Sequence, residues 1–111
     1  MRLYHNPRCS KSREAKQILE DNKISFETFE YLKEGLTGQE ILSLSKKLSL
    51  SLREFMRLKE EDFKPYKNKE LTESELVDLI VNFPKLLERP ILVSGTKAVL
   101  GRPPQRVLEI I

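Results

Sequence analysis

The stretch HNPRCSKSR, residues 5–13, holds the only cysteine of a 111-residue chain. On its N-terminal side Arg2–His5 reads as a short strand, with Leu3 and His5 facing one way and Tyr4 the other. Asn6-Pro7 breaks that pattern. On its C-terminal side a helical pattern runs from Ser10 to about Asn22, its buried stripe marked by Ala15, Ile18, Leu19 and, at the end, Ile24. Cys9 therefore sits where a strand hands over to a helix. A free cysteine is often a small buried hydrophobe. One at a helix N-terminus with basic neighbours is better suited to be a nucleophilic thiolate.

Moving outward, Ser25–Tyr31 alternates, with Phe26, Thr28 and Glu30 on one face and Glu27, Phe29 and Tyr31 on the other. A strand, a helix and a second strand over about 30 residues form a βαβ unit, whose parallel strands require such a crossover. A helical stretch follows. Thr37-Gly38-Gln39-Glu40 and Thr72-Glu73-Ser74-Glu75 read as capping boxes, each leading into apolar residues at helical spacing. Ser49 or Ser51 is placed to cap a short helix through Phe55-Met56-Arg57, and Pro84 marks the end of the helix begun near Thr72. Ile91–Ser94, the Gly95-Thr96 turn and Ala98–Leu100 then read as a hairpin. Pro103-Pro104 opens a last short helix. The order predicts an α/β fold, a thioredoxin-like βαβ…ββα mixed sheet with a helical insert at about residues 36–85. Arg89-Pro90 stands before the third strand, where such folds place a cis-proline.

The length is that of one domain, residues 1–111. The chain is 39% hydrophobic, with no run near the roughly 18 apolar residues of a membrane span. The N-terminus shows no apolar leader pattern and the single cysteine excludes an internal disulfide, so a cytoplasmic protein is expected. The net charge of +3 is mild and both signs are interleaved, with no basic stripe for nucleic acid. A small anion is the partner that a modest basic excess suits. A monomer is the default expectation.

The first turn of a helix leaves N–H groups unpaired and carries about half a positive charge. With the helix starting at Ser10, Cys9 is its N-cap, and Arg8, Lys11 and Arg13 add positive potential. The Ser12 hydroxyl, three positions on, is placed to reach the thiolate. His5 has two readings, a hydrogen-bonded core histidine or an imidazolium or donor that tunes the thiol. One His and one Cys do not make a metal site. Where thioredoxin-type motifs carry a second cysteine this chain has Ser12. An oxidised Cys9 must therefore be resolved by an external thiol such as glutathione, with no bound cofactor.

The segments YHNPRCSKSR (residues 4–13), FMR (55–57), ERP (88–90) and GRPP (101–104) resemble, in order and spacing, the glutaredoxin-linked arsenate reductases. The likeness covers essentially the whole chain. It implies a thioredoxin-like fold with a helical insert. It also implies that Cys9 attacks arsenate to give an arsenic adduct, with glutathione and glutaredoxin supplying the reducing thiols. By the same resemblance Cys9 is the nucleophile, His5 sits near the thiol, and Arg57, Arg89 and Arg102 bind the oxyanion. With Ser12, whose spacing places its hydroxyl near the sulfur, Cys9 and His5 make up the expected catalytic group. Ser10-Lys11 after the cysteine, where other members have Gly-Thr, and the end at Ile111 resemble a shorter sister branch.

Two other functions fit parts of this pattern. One is a thiol-linked reductase of another small substrate or of a protein mixed disulfide. The other is a redox-linked transcription regulator that binds RNA polymerase, although such sensors usually carry a Cys-x-x-Cys switch, which Ser12 removes.

Overall fold

The computed structural model describes all residues, 1–111. Strand β1 (Arg2–Tyr4) leads through the Cys9 loop into helix α1 (Ser10–Asp21), and β2 (Glu27–Phe29) returns parallel to β1. The alternation of residues 25–31 predicts a strand through Tyr31, but the strand ends at Phe29 and Tyr31 begins a short helix, α2 (Tyr31–Glu34). The period-2 pattern misled here because Tyr31 is buried as the first residue of a helix packed into the large core cluster and not as part of a strand.

Helices α3 (Gly38–Leu48) and α4 (Glu73–Asn82) begin at the two expected capping boxes. Thr37 and Thr72 each accept the backbone N–H three residues on, and Glu40 and Glu75 reach back to the cap N–H. Between them lie two 3-10 turns, Leu52–Phe55 capped by Ser51, and Glu61–Tyr66, which the sequence pattern does not announce. A further 3-10 turn at Pro84–Leu86 ends the α4 region, as Pro84 suggests. Strands β3 (Ile91–Ser94) and β4 (Lys97–Leu100) form the antiparallel hairpin, and a 3-10 stretch over Pro104–Ile110 closes the chain.

The sheet order is β2-β1-β3-β4, with β3 antiparallel to β1, so this is the mixed sheet of a thioredoxin-like fold. Alternation divides the core across it. Leu3, Leu92 and Val99 meet Ala15, Leu19 and Val107 on the α1 face. Tyr4 and Ile91 meet the large cluster of the α2–α4 segment, including Tyr31, Phe55, Phe63 and Ile80. His5 shares the parity of Leu3 and faces α1, where it meets Ser12. No helix is long and apolar enough to cross a membrane.

Candidate active site

The loop that carries Cys9 is held by its own polar groups. Asn6 Oδ1 accepts the Arg8 N–H at 3.0 Å, and the Asn6 carbonyl accepts the Cys9 N–H at 3.0 Å. This local turn lets Pro7 end the strand and directs the chain into α1. The Cys9 carbonyl accepts the Arg13 N–H at 3.0 Å as the first helical bond, making Cys9 the N-cap, with extended φ and ψ of −95° and 123°. Its sulfur is half-buried over the open first turn.

Two influences on that sulfur oppose each other. Burial raises the thiol pKa, while the backbone N–H of Ser12, the Arg89 guanidinium and the backbone N–H of Lys11 lower it, and the result lies below an ordinary thiol. No amide closes a full hydrogen bond onto Sγ, yet the first-turn N–H groups stand close enough to favour the thiolate. Arg102 adds Nη2 at 3.9 Å from Sγ.

The flanking cations predicted to activate the thiol have other occupations. Arg13 donates to the Pro7 carbonyl at 3.0 Å, Lys11 reaches Glu14 at 4.0 Å, and Arg8 is exposed. It is Arg89, remote in sequence, that supplies the positive charge.

The Ser12 hydroxyl does not serve the sulfur either. Fully buried, it accepts the Asn6 N–H at 3.0 Å and pairs with His5 Nδ1 at 2.7 Å. What Ser12 offers Cys9 is its backbone N–H. The imidazolium reading of His5 also gives way. The ring is 4% exposed, and burial, followed by the charges of Lys16 and Arg13, lowers its pKa against the opposing pull of Glu30. Burial thus favours the neutral imidazole, and His5 anchors α1 to the end of β1 through Ser12. The structure places His5 in the hydrogen-bonded core position, paired with Ser12 and not with the sulfur.

The three arginines converge from separate segments. Arg57 does not lie on a helix; it follows the Leu52–Phe55 turn, where Met56 bridges to Leu87. The Arg57 N–H donates to the Leu86 carbonyl at 2.7 Å and the Glu88 N–H to the Phe55 carbonyl at 2.9 Å. This short ladder fixes Arg57 beside Glu88-Arg89. Arg89-Pro90 is cis, as is Arg102-Pro103.

Glu88 ties two of the arginines together, a role the sequence analysis missed. Its Oε1 lies 3.3 Å from Arg57 Nη1 and 2.9 Å from Arg102 Nε. Arg57 Nε also binds Glu60 at 3.0 Å, and Arg102 Nε donates to the Arg89 carbonyl at 2.8 Å. A glutamate beside a candidate oxyanion arginine, in the same ERP segment, was the available signal. Arg57, Glu88 and Arg102 line a cleft of about 520 Å³ together with Met56 and Lys59. Neither Cys9 nor Arg89 lines this cleft, which lies on the Arg57 and Arg102 side of the thiol. A depression of similar size near Arg2, Tyr4 and Lys47 contains none of the three arginines. No group of three or more His, Cys, Asp or Glu side chains is arranged to hold a metal ion.

A thiol poised to ionise beside fixed guanidinium groups can attack an electrophilic centre whose oxygens carry negative charge. The guanidinium forks match paired anionic oxygens, and a helix N-terminus receives the same charge. Known proteins resemble this chain over its full length. A Haemophilus influenzae arsenate reductase is 42% identical over 98% of this chain and 97% of its own. The Escherichia coli K12 protein called uncharacterized protein YfgD is 43% identical over 100% and 96%. The solved structure of an arsenate reductase from Vibrio cholerae superposes with a TM-score of 0.94 at 40% identity, covering 100% of this chain and 98% of that one. The model of the ArsC family matches residues 4–110, and the chain belongs to that family.

Proposed function

We propose that the protein is an arsenate reductase working as one thioredoxin-like domain, residues 1–111. The observation that carries this reading is the convergence of Arg57, Arg89 and Arg102 on a helix-capping thiol with a lowered pKa. Arsenate is a tetrahedral oxyanion with one to two charges near neutral pH, so an anionic nucleophile approaches it only where those charges are neutralised. The arginines do this and stabilise the charge that develops on the departing oxygen.

Cys9 Sγ forms the bond to arsenic, and one arsenic–oxygen bond breaks, its oxygen leaving as water after protonation. Arsenic is still pentavalent at this point. Reduction requires two electrons, and the chain holds no second cysteine to supply them. A glutathione thiol then replaces a second oxygen on arsenic, which leaves as a second water, and a glutaredoxin thiolate attacks the glutathione sulfur. The new disulfide leaves the sulfur–arsenic electron pair on arsenic, which becomes trivalent. Water displaces Cys9 and arsenite departs. Overall one arsenate and two thiols give one arsenite, one disulfide and one water. Glutathione and glutaredoxin are therefore the proposed redox partners of a cytoplasmic monomer, the compartment where those thiols are kept reduced.

The test is arsenate-dependent NADPH consumption coupled through glutathione, glutathione reductase and glutaredoxin, with Cys9→Ser as control. Turnover is expected in the wild type and its complete loss in Cys9→Ser. Cys9 alkylation should follow a pH profile with a midpoint below that of a free thiol. A fast-reacting Cys9 without arsenate turnover would reject the substrate and keep the activated thiol.

A further inference from the structure

Two side-chain polar atoms in this protein are buried without any hydrogen-bond partner, the Tyr31 hydroxyl and Arg89 Nε. A buried donor left unpaired is costly, and such groups are rare. Both belong to one neighbourhood. The charged groups that act on the Tyr31 phenol are Arg89, Cys9, Arg57 and Glu88, which are the components of the site described above.

The fold explains how Tyr31 arrives there. Strands β1 and β2 are parallel, and β1 runs from its C-terminal end into the Cys9 loop. The C-terminal end of β2 lies alongside, since the His5 N–H donates to the Phe29 carbonyl at 2.9 Å. Tyr31 follows two residues later as the first residue of α2, which packs on the Pro84–Leu86 turn that leads to Glu88-Arg89. Ligands of α/β sheets bind beyond such strand ends. The ring is fully buried in the large core cluster, a task that phenylalanine would perform without stranding a hydroxyl.

We propose that Tyr31 is a further substrate-binding residue, its hydroxyl donating a hydrogen bond to an oxygen of the tetrahedral oxyanion bound at Cys9, beside the unpaired Nε of Arg89. Burial pushes the phenol up to about 12, so it remains protonated and acts as a neutral donor and not as a base. It strengthens anion binding without adding charge to a cluster that already holds three guanidinium groups. This inference rests on the arsenate reading.

The experiment compares wild type with Tyr31→Phe by three readouts: protection of Cys9 from iodoacetamide by arsenate, coupled arsenate turnover, and thermal melting. Loss of a hydrogen bond to a charged acceptor should raise the half-protecting arsenate concentration about tenfold or more. Melting temperature should hold or rise, because the variant removes an unpaired buried donor and keeps the ring. A merely structural hydroxyl would behave in the opposite way, lowering stability and leaving protection unchanged. Equal protection in the two proteins overturns the role of Tyr31, as does a clear loss of stability in the variant. If the wild type shows neither protection nor turnover, the arsenate reading itself fails and the Tyr31 assignment falls with it.

Discussion

Ser12 shows how much one side chain decides in this site. Its hydroxyl joins the Asn6 N–H and His5 Nδ1, while its backbone N–H favours the Cys9 thiolate. The two halves of the residue can be separated by mutation. Ser12→Ala keeps the N–H and strands the Asn6 donor and the imidazole, so it should cost about 2 kcal/mol of stability. Urea denaturation would read that loss. The alkylation midpoint of Cys9 should stay within a few tenths of a pH unit of the wild type, and a shift of a full unit would show that the hydroxyl acts on the sulfur. The spacing of Cys9 and Ser12 is plain in the sequence. Which atom of Ser12 faces the sulfur is not, because the choice depends on the buried imidazole of His5, just after β1.

At the scale of elements, starts are clearer than ends. Thr37, Ser51 and Thr72 each mark a helix or 3-10 turn, since a cap and its glutamate three residues later interact locally. The alternation of residues 25–31 runs past the end of β2 and no pattern announces the Glu61–Tyr66 turn, because neither boundary is set by a local period. The element that most directly positions an arginine is the β4 exit. A Cβ on Gly101 would lie 2.8 Å from Pro90 Cγ and 3.2 Å from Val107 Cγ1, and the Gly101 N–H donates to the Pro90 carbonyl at 2.8 Å. The ring at Pro90 is rigid, so Gly101→Ala must move the segments carrying Arg89 and Arg102 apart. Arsenate KM in this variant should rise about tenfold or more, as expected when fixed donors shift from their productive positions. An unchanged KM would mean that the close approach is incidental.

For the molecule as a whole, the site depends on the core of the helical segment. Phe55 is fully buried, and its carbonyl accepts the Glu88 N–H next to the bridge between Met56 and Leu87. Phe55→Ala should cost about 3–5 kcal/mol by leaving a cavity. It should also loosen the ladder that sets Arg57 against Glu88. Assayed well below its melting temperature, the variant is expected to lose arsenate affinity although no substrate contact was altered. If KM and kcat remain at wild-type values, the oxyanion cluster is held independently of this core.

The sequence by itself determined the strand–loop–helix handover at Cys9, the capped helices and the final hairpin. Each follows from interactions between residues a few positions apart. The count of one cysteine likewise leaves the chain without a second thiol of its own, which is why the proposed reaction draws on an external reductant. Without the family resemblance, nothing local selects Arg57, Arg89 and Arg102 from 20 lysines and arginines. Tertiary structure decided how they meet, bringing Arg102 to a sulfur 93 positions away and Arg57 to a carboxylate 31 positions away. It alone revealed Glu88 as their link and Tyr31 as an unpaired donor beside them. Periodicity records which face of an element is buried, whereas convergence is set by the long-range packing of elements across the sheet.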